Sequence, residues 1–521
     1  MRSGHAARIT AILLALVFAV PAFASDPPPW QERLQSVLDR PEYRHAHWGL
    51  LVVDAKTGDV VYEHQADKLF APASVTKLFS VGAAWAAFGP DHRFITPVFR
   101  RGDVRDAGAL EGDLVLRATG DLTLHGRGSE SGEISFRNGD HTYANGNLTA
   151  QLTDENPLAG LDELARQVAA AGIRRINGDV LIDARLFEPA SSTGSGPGRV
   201  TPMLVNDNLL DVLVTAAAEA GQPATVSTRP ETALFTIDSF VETGPAGARP
   251  ELSLRWSGSG RAVVRGKVPA GHRPIVRVLE WEDPEFVARG LFIEALQRAG
   301  IRVDASPLAA SSAALPEVDW YATAPRVAAL ESPTFAEEAK LILKVSHNLH
   351  ASTLPLLLAA SRDRRTLSEG LAIQGEILEQ LGVERGTISF GGGAGGDRAD
   401  YTTPRATVQL LSQLASREDG ERFRAALPIL GVDGTLSSIG AKDSPARGRV
   451  FAKTGTLFWD NRLNGRPLLT SKALAGYIDA ASGRQLAFAC FVNLTHLSSG
   501  EETAREGQAL GEIAEILQQG L

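Results

Sequence analysis

Cysteine is nearly absent from this chain, since Cys490 is the only one among 521 residues. An internal disulfide therefore cannot form, even in an oxidising compartment, and the fold must be stabilised by packing. Cys490 lies within the apolar run 486–492, where a free cysteine is usually a small buried hydrophobe. With no histidine or lysine beside it in sequence, it is not a candidate nucleophile.

An excess of basic residues is also missing. The formal net charge is −9, so no positive field exists to attract nucleic acid, and we expect no nucleic-acid partner. The histidines show no zinc-ligand spacing, and His347 and His350 stand apart from other ligand types, so we expect no metal site. Residues 391–396 fit a dinucleotide glycine pattern, but no helix is predicted after them. They indicate a flexible loop, and no cofactor is expected.

Long apolar runs are absent after the N-terminus. Two arginines precede the apolar run 9–20, and Ala22-Phe23-Ala24 follows as a small-x-small cleavage site. This pattern is typical of a secretory signal peptide. An uncleaved anchor is the alternative, but the run is short for a membrane span of roughly 20 residues and Pro21 interrupts it. We predict a signal peptide over residues 1–24, a periplasmic mature protein and no transmembrane segment after cleavage.

Three short strings occur in one order along the chain: Ser74-Val75-Thr76-Lys77, Ser346-His347-Asn348 and Lys453-Thr454-Gly455. Each alone is a weak signal, because two or three fixed residues recur by chance. Lys56-Thr57-Gly58 shows this, since it lies between two apolar runs and predicts a hairpin turn. Ser-x-x-Lys and Ser-x-Asn, however, each occur once in the chain. Their uniqueness and order make the set informative.

The first string pairs a nucleophile with a base. A serine hydroxyl attacks poorly at neutral pH unless a neighbouring group removes its proton. Lys77 follows Ser74 by one turn of a predicted helix and can act as that base if it is neutral. Burial and a nearby cation such as Lys453 would lower the lysine pKa. The alternative for this string alone is a capping serine with a solvated lysine.

The other two strings supply candidates for proton relay and substrate binding. Ser346 could relay a proton to the leaving group, while Asn348 could orient the base lysine. Lys453 and Thr454 would bind a substrate carboxylate, Gly455 would let substrate lie close to the strand, and the backbone N–H of Thr456 would join that of Ser74 as an oxyanion donor. Taken alone, these strings also fit a helix terminator and a strand with an exposed lysine.

The spacing of the strings predicts the domain organisation. Residues 78–345 separate the first from the second, too many for a loop within one compact domain. We predict a domain in two parts, 25–93 and 321–521, interrupted by one or two β-rich inserted domains over 94–320.

Hydrophobic periodicity and turn residues place the elements. Strands are predicted at residues 48–53, 60–62, 114–116, 180–182, 209–214, 252–254, 275–279, 450–457, 474–478 and 486–492. Helices are predicted at 74–88, 161–171, 285–299, 332–345 with Ser332 as N-cap and Pro333 in the first turn, and 503–517. Residues 126–147 and 191–198 are polar and predict surface loops or flexible segments.

With these strings in order, the chain resembles low-molecular-mass class C penicillin-binding proteins of the D-alanyl-D-alanine carboxypeptidase/endopeptidase type. Further stretches carry the resemblance: Gly112-Asp113-Leu114, residues 120–124, Asn206-Asp207-Asn208, residues 431–436 and residues 452–457. It implies an α/β (α+β) fold with a β-lactamase-like transpeptidase domain, an antiparallel sheet packed with helices. It also implies an acyl-enzyme on Ser74, peptidoglycan stem peptides as substrates and β-lactams as covalent inhibitors.

The chain departs from the family pattern at two places. His347 stands where the family usually has aspartate, and residues 392–397 replace an Asp-Gly-Ser-Gly-Leu-Ser-like loop that borders the site in relatives. Two alternatives therefore stand beside the peptidase: a serine β-lactamase or esterase on the same core, and a non-catalytic peptidoglycan-binding scaffold. The sequence leaves open the balance of carboxypeptidase and endopeptidase activity.

Overall fold

The computed structural model describes residues 28–128, 131–192, 194, 196–500 and 502–521. The predicted signal peptide, residues 1–24, lies outside the described residues. Within the described ranges, none of the helices combines the length and apolar character needed to cross a bilayer.

The described residues form ten α-helices. They are α1 (Pro29–Leu38), α2 (Thr76–Phe88), α3 (Ala159–Ala170), α4 (Pro284–Arg298), α5 (Phe335–Val345), α6 (Asn348–Ala360), α7 (Leu367–Gln380), α8 (Pro404–Ala415), α9 (Gly420–Ala425) and α10 (Glu502–Gly520).

Twenty strands occur in the same part of the chain. They are β1 (His47–Asp54), β2 (Val60–His64), β3 (Ile95–Val104), β4 (Ala109–Arg117), β5 (Arg175–Ile176), β6 (Val180–Asp183), β7 (Leu209–Thr215), β8 (Thr225–Arg229), β9 (Thr236–Gly244), β10 (Glu251–Gly258), β11 (Arg261–Pro269), β12 (Ile275–Glu280), β13 (Arg302–Val303), β14 (Arg326–Glu331), β15 (Ile388–Ser389), β16 (Tyr401–Thr402), β17 (Val450–Asn461), β18 (Arg466–Asp479), β19 (Gln485–Asn493) and β20 (Thr495–His496).

The sheet that carries the third string is antiparallel, in the order β17-β18-β19-β1-β2. Both of its faces are covered, which explains the nearly continuous apolar runs of β1 and β19. Helices α1 and α10 pack on one face with Cys490, and α2 and α8 pack on the other. Cys490 is a buried free thiol, as predicted. The strand β17 lies at one end of this strand order. Lys453, on β17, lies close to the helices that cover the second face.

The segment between the first and second strings holds most of the remaining strands. A sheet in the order β13-β5-β4-β3-β14, with β6 beside β4, joins two three-stranded sheets and the helices α3 and α4 around one core. Since β14 pairs with β3, this sheet continues beyond residue 320 to Glu331. The domain boundaries themselves stay a prediction.

The predicted start of α5 is wrong. The helix begins at Phe335 with Thr334 as its N-cap, two residues beyond the predicted Pro333. Ser332 does not cap the helix because its hydroxyl donates to the Pro333 carbonyl and accepts from the backbone N–H of Phe94. Ser332 therefore links the segment before α5 to Phe94, the residue that precedes β3.

The prediction of a surface loop over residues 126–147 is also wrong for part of that stretch. Arg127, Asp140 and His141 are buried there. Arg127 pairs with Asp140 and with Asp207, and His141 contacts Asp207 and Asp211. The last two come from a distant part of the chain, which sequence spacing does not reveal. The other predicted strands and helices occur, but β4 and β18 begin five and eight residues before their predicted starts.

Candidate active site

The first string forms a tight turn into a helix. Residues Ala73–Val75 make a single 3₁₀ turn that continues into α2, so Ser74 precedes the helix and Lys77 occupies its first turn. Ser74 is half-buried, and Lys77 is fully buried. Lys77 Nζ lies 2.9 Å from Ser74 Oγ, which is the contact that a serine needs with a general base.

Lys77 Nζ has two further partners, and both are carbonyl oxygens. It donates to Asn348 Oδ1 and to the backbone oxygen of Ala394, each at 2.7 Å. Burial, and after it the charge of Lys453, lower the pKa of Lys77 well below its usual value of 10.5. A neutral amine has two N–H groups and one lone pair. In the neutral form of Lys77, the two carbonyl oxygens, which can only accept, take both N–H groups, and the lone pair faces the Ser74 hydroxyl.

The second string occupies the junction of two helices. Ser346 ends α5 in a left-handed conformation with φ 64° and ψ 42°, and α6 begins at Asn348. His347 is the N-cap of α6, where its ring nitrogen accepts from the backbone N–H of His350. This reversal places Ser346 Oγ 3.0 Å from Lys453 Nζ, while Asn348 reaches Lys77.

The third string lies on β17. Lys453 is fully buried, and its Nζ donates to Ser346 Oγ and, at 2.8 Å, to the carbonyl of Thr454. Burial lowers the pKa of Lys453 to about 7, so its charge is lost near neutral pH. Thr454 Oγ1 bonds Thr435 Oγ1 at 2.8 Å. The site therefore holds two buried lysines with different partners.

Gly455 allows the first and third strings to touch. A Cβ at this position would lie 2.5 Å from the Pro72 carbonyl oxygen and 3.3 Å from Ala73 Cβ. Any other residue here would push β17 away from the turn that carries Ser74. Thr456 follows at an exposed position, where its hydroxyl accepts from Lys472 Nζ at 2.9 Å. The predicted oxyanion role of its backbone N–H stays a prediction.

Sequence reasoning missed the contribution of the glycine loop, residues 391–396. The carbonyl of Ala394 bonds Lys77 and that of Gly393 bonds Ser80 in α2. The loop is folded around the buried Asp400 carboxylate, which accepts backbone N–H groups from Gly391, Gly396 and Asp397 at 2.7–2.8 Å. No helix follows before α8, as predicted. The family resemblance pointed to a loop beside the site, but backbone carbonyls leave no signal in the residue pattern.

One group of described side chains meets the distance test for a metal site. Ligand atoms of Asp207, His347 and His350 lie within 4.8 Å of one another. The two imidazole rings, however, are stacked with centroids 3.7 Å apart and planes 20° apart, and both Nε2 atoms lie close to the same Asp207 oxygen, at 3.1 and 2.9 Å, so that oxygen occupies the point that both nitrogens approach. Arg127 also bonds the same carboxylate at 2.7 Å. As arranged, the group does not fit a metal ion, and its absence from the protein stays a prediction.

Comparison with known proteins decides the family. The model of the D-Ala-D-Ala carboxypeptidase 3 (S13) family matches residues 30–514. The chain belongs to this family. Membership in the S13 family confirms the resemblance drawn from the three strings, and with it the class of enzyme, a serine-type D-Ala-D-Ala carboxypeptidase.

Individual relatives of the S13 family support the same assignment. A D-alanyl-D-alanine carboxypeptidase of Actinomadura sp. (strain R39) is 28% identical over 89% of this chain and 80% of that protein. D-alanyl-D-alanine carboxypeptidase DacB of Haemophilus influenzae is 24% identical over 92% of this chain and 91% of that protein. The crystal structure of penicillin binding protein 4 (dacB) from Haemophilus influenzae has a TM-score of 0.67 and 20% identity, covering 93% of this chain and 97% of that chain. This likeness confirms the predicted fold class.

Proposed function

We propose that the chain is a serine DD-peptidase of peptidoglycan stem peptides, which forms an acyl-enzyme on Ser74. The observation that carries the proposal is the set of three contacts at Lys77 Nζ. Two carbonyl oxygens take its N–H groups, and the Ser74 hydroxyl lies at the remaining position, 2.9 Å away. A buried lysine in this arrangement can accept the serine proton at neutral pH.

In the acylation step, Lys77 removes the Ser74 proton as Oγ attacks the carbonyl carbon of the penultimate D-alanine. Backbone N–H groups of Ser74 and Thr456 stabilise the oxyanion. The carbon–nitrogen bond then breaks, and the departing amine receives the proton from Lys77 through Ser346. Lys453 in its charged form and Thr454 bind the terminal carboxylate, and Asn348 holds Lys77 in place. An ester on Ser74 and a free D-alanine, or the amine of a cleaved crosslink, result.

Deacylation uses the same groups in reverse order. A water molecule gives its proton to Lys77 and its oxygen to the acyl carbon, and Ser74 Oγ leaves with that proton. We propose that β-lactams enter the first step and then deacylate slowly. The Haemophilus influenzae relative has been solved with a β-lactam bound, which supports this part of the proposal.

The proposed location is the periplasm, after cleavage of the signal peptide near Ala24. The secretory pattern of residues 1–24 supports it, as does a substrate class found in the cell wall. Wild-type protein expressed from its full sequence should yield an N-terminus at Ser25, which N-terminal sequencing of the exported product would test. An intact N-terminus in the exported fraction would contradict cleavage.

The test of function compares wild type with Ser74→Ala. Wild type should release D-alanine from pentapeptide muropeptides, or split crosslinked dimers, and should carry one penicilloyl adduct on the peptide containing Ser74 by mass spectrometry. The variant should do neither at an unchanged melting temperature. Hydrolysis by Ser74→Ala at the wild-type rate would refute the mechanism. Fast turnover of penicillin would favour a β-lactamase, and peptidoglycan binding without any labelling would favour a scaffold.

A further inference from the structure

A segment of the region between the first two strings reaches the proposed catalytic groups. We call residues 131–147 the brace. Tyr143 donates its hydroxyl proton to the backbone carbonyl of Ser346 at 2.5 Å. On the other side of the site, Asn138 Oδ1 accepts from the backbone N–H of Gly434 at 2.8 Å. The brace thus contacts the second string directly and a loop that borders the third.

The second contact lies next to a residue that bonds the third string. Thr435 follows Gly434, and its hydroxyl bonds Thr454 Oγ1 at 2.8 Å. Gly434 itself has a φ of 60°, and a Cβ there would lie 2.6 Å from the Lys344 carbonyl oxygen near the end of α5. The loop around Gly434 is therefore packed between α5 and β17. Asn138 fixes the backbone at that point.

A buried ion cluster anchors the brace. Asp140, within the brace, accepts from Arg127 at 2.7 and 3.1 Å, and Arg127 also bonds Asp207 at 2.7 Å. His141, the next residue of the brace, contacts Asp211 at 2.6 Å and Asp207 at 2.9 Å. Asp207 in turn contacts His347 in the second string at 3.1 Å. Removing such charges from water is costly unless they are paired, so the cluster holds the brace in one place.

The Tyr143 hydroxyl bonds a residue whose backbone conformation is unfavourable. Ser346 adopts a left-handed conformation, which is unfavourable for a residue with a Cβ. Its carbonyl direction is coupled to its backbone torsion, and its Oγ direction decides the 3.0 Å contact with Lys453. A hydroxyl that fixes the carbonyl therefore also fixes where Ser346 Oγ lies.

We propose that the brace positions the catalytic groups, with Tyr143 and Asn138 as positioning residues for acylation. Tyr143 holds the relay serine, and Asn138 holds the loop that sets Thr435 against Thr454. Neither residue needs to touch the reacting atoms. This inference rests on the proposed function, because its readout is the acylation of Ser74.

The test measures acylation by a chromogenic β-lactam in stopped flow, separating the first-order acylation constant k2 from the binding constant K. The variants are Tyr143→Phe, Asn138→Ala and Asn138→Asp. Tyr321→Phe is the matched control, since the Tyr321 hydroxyl also donates a hydrogen bond, to Asp183 at 2.6 Å, but Tyr321 packs in a different hydrophobic cluster. Melting temperatures are measured for all proteins.

Losing one positioning hydrogen bond should lower k2 by about fivefold, with K within twofold of wild type. Asn138→Ala should show the same pattern, and Asn138→Asp should restore k2 because its carboxylate can still accept from Gly434. Tyr321→Phe should keep the wild-type k2. A purely structural role would lower the melting temperature and leave k2 of the folded protein unchanged.

The outcomes separate the two proposals. If wild type is labelled at Ser74 but Tyr143→Phe and Asn138→Ala keep its k2, the positioning role is wrong and the proposed function stands. An Asn138→Asp protein as slow as Asn138→Ala would also overturn the role of the Gly434 contact. If wild type shows no labelling at Ser74, the proposed function and the positioning role both fail.

Discussion

Replacing Lys453 by methionine should make the protein less active and more stable at neutral pH. The two hydrogen-bond acceptors of Lys453 Nζ, Ser346 Oγ and the Thr454 carbonyl, are uncharged. Its side chain is fully buried. A charged ammonium at this place therefore costs free energy of folding, and a methionine of similar length removes that cost.

The pKa of Lys453 gives the size of the effect. Burial lowers it from the usual 10.5 to about 7. At ~1.4 kcal/mol for each unit of pKa, this gap corresponds to about 5 kcal/mol at a pH well below the folded pKa, where the lysine is charged in both the folded and the unfolded protein, and to about 4 kcal/mol at pH 7. Losing the hydrogen bond to Ser346 offsets ~1 kcal/mol of this. The variant should gain about 3 kcal/mol at pH 7.

The pH dependence of stability tests the sign of this effect. Between pH 7 and 10.5 the unfolded lysine binds more protons than the folded one, so the stability of wild type rises with pH over this range. The advantage of Lys453→Met should therefore shrink as pH rises and disappear near about pH 10, where the remaining cost of the charge equals the ~1 kcal/mol lost with the Ser346 hydrogen bond. The assay is the difference in free energy of unfolding between variant and wild type, from urea titrations at several pH values.

Lys344→Met provides the contrast. Lys344 is also buried, and burial lowers its pKa too, but its ion pair with Asp433 at 2.7 Å offsets part of that cost, so Lys344→Met should gain less stability than Lys453→Met at pH 7. The reasoning is refuted if Lys453→Met is less stable than wild type at pH 7, or if its advantage does not change between pH 7 and 10.5.

Three further outcomes follow from the site. The value of kcat/KM for a carboxylate substrate should fall above an apparent pKa near 7, because Lys453 loses its charge there. The corresponding fall in kcat should occur at higher pH, because a bound carboxylate stabilises the ammonium form of Lys453. The pH profiles of kcat/KM and kcat check both. Gly455→Ala should lower k2 for β-lactam acylation by about 10²-fold through displacement of β17, whereas Gly375→Ala, with open space around its Cβ position, should leave k2 unchanged. His347→Asp, which introduces the residue expected from the family resemblance, should lower the melting temperature, and adding Asp207→Asn should recover part of the loss. Thermal unfolding of the single and double variants tests this.

The sequence contained the local part of the site. Ser74 and Lys77 are separated by one helical turn, so their contact follows from spacing alone once a helix is predicted. The apolar runs of β17, β18 and β19 predicted the strand that carries Lys453. The order of the three strings along the chain indicated that they belong to one site. The number of residues between them does not determine how far apart they lie in the fold.

The remaining part depends on contacts across long stretches of chain. Ala394 acts through a backbone carbonyl, which any residue type could supply. Asp140 and His141 sit in a polar stretch that is typical of a surface loop, and only their pairing with Asp207 and Arg127 explains why they are buried. Each of these residues is chemically ordinary by itself. Their role becomes visible only when the fold brings them into contact.

His347 shows how the two parts are connected. At an N-cap, histidine and aspartate can play the same role, since either can accept the hydrogen bond that the backbone N–H of His350 donates to the ring of His347. The opposite edge of that ring faces the Asp207 carboxylate at 3.1 Å. An aspartate at position 347 would set two buried carboxylates against each other, and one of them would have to bind a proton or leave the core. A histidine in place of the expected aspartate is therefore compatible with the ion cluster that anchors the brace. Asp207, 140 positions earlier, constrains residue 347 as much as the catalytic string that contains it.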